Sequence, residues 1–155
     1  MSLRGVCLLQ DKFGVVHGVV GMREKNIRGP VDVRIKLWNA PPGLHGCHIH
    51  RSGNMVEGAH TMCDHYNPTG KRHGGLNEDE SHVGDFGNVT VNKDGTCDMS
   101  FTVHRLNLRD VFGRGLVIHA DADDLGRGKH PDSATTGHSG ERIYYGIIAR
   151  DEDCE

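Results

Sequence analysis

Residues 45–85 most constrain what this chain can fold into, because they crowd imidazoles together and end on a carboxylate. His48 and His50 are separated only by Ile49, in an apolar run with Leu44 and Cys47. On a β-strand, side chains two apart share a face, so both rings can reach one ion. A following loop is expected to supply His65, His73, His82 and Asp85. His119 lies far along the chain, in the apolar run Leu-Val-Ile-His-Ala. That is more than one tetrahedral zinc takes. It suggests two ions, one favouring nitrogen alone and one taking nitrogen with carboxylate oxygen.

Short β-branched or alternating runs recur on either side of this stretch. They cover 5–9, 15–22, 31–38, 44–50, 88–91, 97–103, 115–120 and 143–149. Turn signals divide them, among them Arg28-Gly29-Pro30, Pro41-Pro42-Gly43 and Lys93-Asp94-Gly95. Such spacing implies an all-β sandwich or barrel. Residues 31–37 alternate strictly, so one face is core and the other wet. No segment sustains a helical period. Two connections, 51–81 and 121–142, exceed the roughly 12–15 residues usual for a structureless loop, which marks them as functional.

The 155 residues suit one domain, 1–155, able to bury a core without a disulfide scaffold. That core must be aliphatic, since aromatic residues make up 5%, and the 22 glycines point to turns. A net charge of −3 does not suggest a nucleic-acid partner. No apolar run approaches the roughly 18 residues of a membrane span, and the first residues lack the pattern of a secretory leader. Five cysteines without a CxxC pair suit reduced thiols and a cytoplasmic location.

Six blocks in order carry a resemblance to a known family. They are 43–50 (GLHGCHIH), 65–68 (HYNP), 71–75 (KRHGG), 82–89 (HVGDFGNV), 117–126 (VIHADADDLG) and 136–142 (TGHSGER). With these the chain closely resembles the copper-zinc superoxide dismutases, over about Val6 to Ile148. The resemblance implies an eight-stranded antiparallel Greek-key barrel or sandwich with two long functional loops. It also implies dismutation of superoxide to dioxygen and hydrogen peroxide by copper redox cycling, with zinc structural and tuning, in an intracellular homodimer.

The resemblance implies one copper ion on His48, His50, His65 and His119 and one zinc ion on His65, His73, His82 and Asp85. His65 would be shared and would deliver a proton. The bare residue chemistry agrees, because histidine has two ring nitrogens and can touch two metals. Asp123 matches an aspartate that orients His48 and His73, and Arg142 matches an anion-guiding arginine. His45 is expected to be structural. His17, His60, His104, His130 and His138 are expected to face solvent. Val6, Gly53, Phe112-Gly113 and Ile147-Ile148 fall where the family's dimer interface lies.

Two departures from the family stand out. Its intrasubunit disulfide joins positions held here by Ala59 and Tyr145, so that bond is expected to be absent. Two lysines common on the channel rim are replaced by Asp121 and Thr135. Steering is then expected to be weaker, or carried by Arg127 and Lys129. Rival readings are a non-catalytic copper chaperone or metal-storage protein on the same fold, and a cupin-like jelly roll. The chaperones usually lack a copper ligand or the arginine. In the cupin pattern Glu57 is too far from His50.

Overall fold

The computed structural model describes residues 2–154. Eight strands form the wall: β1 (Leu3–Gln10), β2 (Val16–Glu24), β3 (Val31–Leu37), β4 (Gly43–His50), β5 (Asp85–Val91), β6 (Cys97–Val103), β7 (Gly115–His119) and β8 (Arg142–Ile147). They pair antiparallel in the order β5-β4-β7-β8-β1-β2-β3-β6. The ends of this ladder, β5 and β6, are joined by the tight turn 92–96 and approach where Thr90 N lies 3.1 Å from Met99 Sδ. The result is a nearly closed all-β barrel. Placing β3 beside β6, and β4 between β5 and β7, gives the crossing connections of a Greek key. Among the described residues the only helical pieces are 3-10 turns at Gly58–Met62 and Leu108–Asp110. No helix among the described residues is long and apolar enough to cross a membrane.

The alternation read in β3 is the alternation seen, with Val31, Val33, Ile35 and Leu37 buried and Asp32, Arg34 and Lys36 exposed. Leu9, Val20, Ile49, Leu116 and Ile118 meet these residues inside, and Phe86 and Phe101 pack edge to face at 5.4 Å. Each such aliphatic side chain contributes about 1.5–3 kcal/mol on burial.

Two boundaries and one exposed position differ from the sequence expectation. Asp85 is the first residue of β5 rather than part of the loop, because it pairs with His48 across a bulge in which Phe86 and Gly87 oppose Cys47. Gly84 and Gly87 interrupt the apolar pattern and hide that start. The last run is broken at Ile148, whose N–H bonds Arg114 O, and a short β9 (Ala149–Arg150) then pairs with β1. Ile148 itself lies in the core, so its side chain cannot contribute to a subunit interface. His17 is largely covered, stacked on Tyr144 at 4.4 Å with Nε2 3.0 Å from Asp11 Oδ2.

A second, smaller cluster sits outside the main core. Ala59, Met62, Val117 and Tyr145 are buried together, with Met55 against them. All five cysteines are unpaired. The positions where the family places a disulfide are therefore filled by an apolar plug that presses the 3-10 turn onto β7 and β8.

Candidate metal centre

The strands supply three rings directly. His48 and His50 end β4 and His119 ends the neighbouring β7, and all three are buried. His65 reaches them because the chain returns along β4: Tyr66 N bonds Ile49 O at 2.7 Å, Arg51 N bonds Asp64 O at 2.8 Å, and His50 bridges to His65. Cys63 takes a positive φ of 67°, unusual outside glycine, and its carbonyl accepts from His50 Nδ1 at 2.8 Å.

The structure brings His48, His50, His65 and His119 together with ligand atoms within 4.8 Å of one another. A second group within the same limit holds His48, His65, His73 and Asp85. His82 joins this group through Nδ1, 3.2 Å from His65 Nδ1 and 3.3 Å from Asp85 Oδ1. Asp85 Oδ2 also accepts backbone N–H bonds from Gly74 at 3.0 Å and His82 at 2.9 Å.

Five buried ring nitrogens have no hydrogen-bond partner: His48 Nδ1, His50 Nε2, His65 Nε2, His73 Nδ1 and His119 Nε2. His73 Nδ1 lies 2.9 Å from Asp85 Oδ2 but out of line for a hydrogen bond. For four of these rings the opposite nitrogen faces an acceptor. His48 Nε2 faces Asp123 Oδ2 at 2.6 Å, His73 Nε2 faces Asp123 Oδ1 at 2.7 Å, and His119 Nδ1 faces Gly140 O at 3.1 Å. His50 faces the Cys63 carbonyl already described. Each acceptor fixes the proton on its own side, so the inward nitrogen is a lone pair. An unpartnered buried polar group costs about 1–3 kcal/mol, and a cation that takes these lone pairs removes that cost. The residues therefore fit metal ions.

His45 differs, since its two nitrogens lie 2.8 and 2.7 Å from the carbonyls of His119 and Pro41. It ties the strand ends together and has no nitrogen left for a metal.

Electrostatics divide the site. Burial, and then the neighbouring rings, push His48 well below the ordinary imidazole range. Burial followed by His65 and Arg142 does the same to His50. His119 is lowered to about 4, chiefly by burial, and burial also lowers His65 against the opposing hydrogen bond to Asp85. For His73 burial is outweighed by the hydrogen bond to Asp123 and the close carboxylate of Asp85, which raise it to about 9. For Asp85 burial is likewise outweighed, by the close rings of His65, His73 and His82, and its carboxyl falls well below the usual range.

Several supporting residues carry no local sequence signal. The Asn88 side chain clamps the Asp123 backbone on both sides, donating to its carbonyl at 3.0 Å and accepting from its N–H at 2.7 Å. Gly137 has φ +72°, and a Cβ there would run into Asp123 Oδ1 and His73 Nε2. Asp124, read as an ordinary loop carboxylate, accepts from Ser133 Oγ at 2.5 Å and Gly126 N at 2.9 Å. The two long loops are tied together where His73 N bonds Ala134 O at 3.0 Å.

Arg142 starts β8 directly opposite His119 and donates from Nη1 to Ala59 O at 2.8 Å. Burial lowers its pKa. It lines a cleft of about 620 Å³ together with His65, Asp64, Lys71 and Thr135. The sequence profile of the family described as copper/zinc superoxide dismutase (SODC) matches residues 16–148. With that match over most of its length, the chain belongs to the copper/zinc superoxide dismutase family and is an oxidoreductase.

Proposed function

We propose that His48, His50, His65 and His119 hold one copper ion, that His65, His73, His82 and Asp85 hold one zinc ion, and that the chain converts two superoxide anions and two protons to dioxygen and hydrogen peroxide. The observation that carries this reading is the convergence of partnerless buried nitrogens on two adjoining points. His48 and His65 both stand near the two points, but His48 commits Nε2 to Asp123 and has one nitrogen to offer. His65 has Nε2 toward the all-histidine group and Nδ1 toward Asp85 and His82, which makes it the shared ligand.

When bound, copper would supply the one-electron oxidation and reduction of superoxide, and zinc would fix the loop and set the basicity of His65. His65 then holds and releases a proton at Nε2, on the side facing the all-histidine group. Asp123 keeps a ligand of each group in its required tautomer by accepting from both Nε2 atoms. The Arg142 guanidinium, anchored on Ala59 O, keeps N–H donors for the anion entering the cleft.

A homodimer is part of this proposal, built on the outward surface around Val6, Gly53, Phe112 and Ile147, of which Ile147 is 43% exposed. A cytoplasmic setting is proposed from the five unpaired thiols. Metal content and dismutase activity measured on one purified sample test the function. One copper and one zinc per chain, with activity lost on selective copper removal, is the expected result. Stable copper binding without superoxide-dependent turnover would instead favour a chaperone or storage protein.

A further inference from the structure

The substrate is a monoanion and the chain carries a net charge of −3, so the mean field opposes its approach. A local positive potential at the cleft must offset that. Neither position expected to bear a rim lysine does so, and Thr135 lines the cleft as a neutral residue. The substitutes expected from sequence do not serve either. Arg127 is ion-paired with Glu78, and neither Arg127 nor Lys129 lines the cleft.

The cations that do line it are Arg51, Lys71 and Arg142, against the single carboxylate Asp64. Arg142 is half-buried and anchored at the inner end. Lys71 Nζ donates to Asp79 O at 2.6 Å, which draws its head toward the neighbouring turn. Arg51 is exposed, and its guanidinium has no hydrogen bond or ion pair among the described residues. Its backbone is held firmly. Arg51 N bonds Asp64 O at 2.8 Å, Arg51 O accepts from Arg114 Nη1 at 2.7 Å, and Arg114 stacks on Tyr66 at 4.3 Å. A fixed Cα next to His50 thus carries an uncommitted positive head into the mouth of the cleft.

We infer that Arg51, seconded by Lys71, is the cation that guides superoxide into the cleft, so that steering comes from the metal-loop side rather than from the 121–142 loop. This rests on the proposed dismutase reading. Guidance acts on the rate of encounter and leaves the chemistry beside Arg142 unchanged.

The rate constant for superoxide, followed by pulse radiolysis against ionic strength, tests it in the loaded enzyme. At low salt, Arg51→Ser should lower the rate about threefold and Arg51→Glu about tenfold, within the range that field effects span. Both should flatten the salt dependence, because screening removes only a field that exists. Arg127→Ser should change neither. A readout independent of turnover is azide titration of the full chain loaded with zinc alone, followed by the side-chain Nε–H signals of Arg51 and Arg142. The two signals should shift together, and Arg51→Ser should weaken the azide response of Arg142 about two- to threefold. An Arg51 signal that ignores azide, or an unchanged salt slope in Arg51→Glu, overturns the inference. A wild-type enzyme that binds both metals and does not dismutate superoxide overturns the proposed function instead, and the azide titration still decides the role of Arg51.

Discussion

The two halves of the metal centre are built in opposite ways. His48, His50 and His119 stand on β4 and β7, which are hydrogen-bonded to each other and backed by Ile49, Leu116 and Ile118. Their rings are kept neutral by burial. His65, His73 and His82 come from a long connection with one short 3-10 turn, and this half is assembled by charge. Asp85 and Asp123 gather the rings, and His73 is raised where the strand-borne rings are lowered. The barrel therefore preforms one half of the site, while carboxylates and the apolar plug hold the other, with metal as the proposed further tie.

The largest expected effects come from removing ligands on either side. His48→Ala or His119→Ala should lower dismutase activity by several orders of magnitude, on the order of the 10⁴-fold and larger losses seen when a catalytic group is removed, with zinc largely retained. Asp85→Ala should release zinc and loosen residues 51–84 first, because a lost ligand frees the segment it tethers. Metal analysis of the same samples checks both. Zinc loss that accompanies His119→Ala as fully as Asp85→Ala would erase the distinction between the halves.

Asp123→Ala strikes the joint between them. It unties His48 Nε2 and His73 Nε2 together, and should weaken binding of both metals about 10- to 100-fold. Competition with a chelator measures each metal separately.

The plug is the next test. Tyr145→Ala removes a buried ring from the cluster with Met62 and Val117, and should cost about 3–5 kcal/mol in chemical denaturation. The same change should loosen Ala59 and hence the anchor of Arg142, so activity should fall further than metal content does. In place of the roughly 2–4 kcal/mol of a disulfide, this chain relies on packing. Five titratable thiols per chain, after denaturation without reductant, are expected.

Dependence on pH separates the two halves as well. In metal-free protein the lowered pKa values of the strand-borne rings contribute stability that is present above about pH 6.5 and lost as pH falls, for His119 as it falls through about 4. His73 has the opposite sign. Its contribution is full below about 6.5 and lost as pH rises through about 9. Stability of the metal-free chain should thus peak near pH 6.5, and Asp123→Asn should flatten the alkaline limb more than the acidic one.

The sequence made the strands legible wherever residues alternate, as in 31–37, and made the clustering of His48 with His50 legible because His-x-His on a strand has a local geometry. It concealed the start of β5, where two glycines flank Asp85 and Phe86. It also concealed contacts that join distant residues: Asn88 on Asp123, Ala59 O on Arg142, and the cleft position of Arg51. These arise from how the two long loops fold over the barrel end, and no periodicity in the chain encodes them. It concealed likewise that Arg127 lies off the cleft, in an ion pair with Glu78 that crosses from one loop to the other.

Native-state hydrogen exchange on metal-free and zinc-loaded protein tests the contrast between the halves most directly. Without metal, the amides of Val117 and Ile118 on β7 should keep the protection of the barrel core, while those of Tyr66, His73 and Gly84 exchange much faster. Zinc should restore the second set and leave the first unchanged. Equal protection of both sets in the metal-free chain, or loss of both together, would contradict the account.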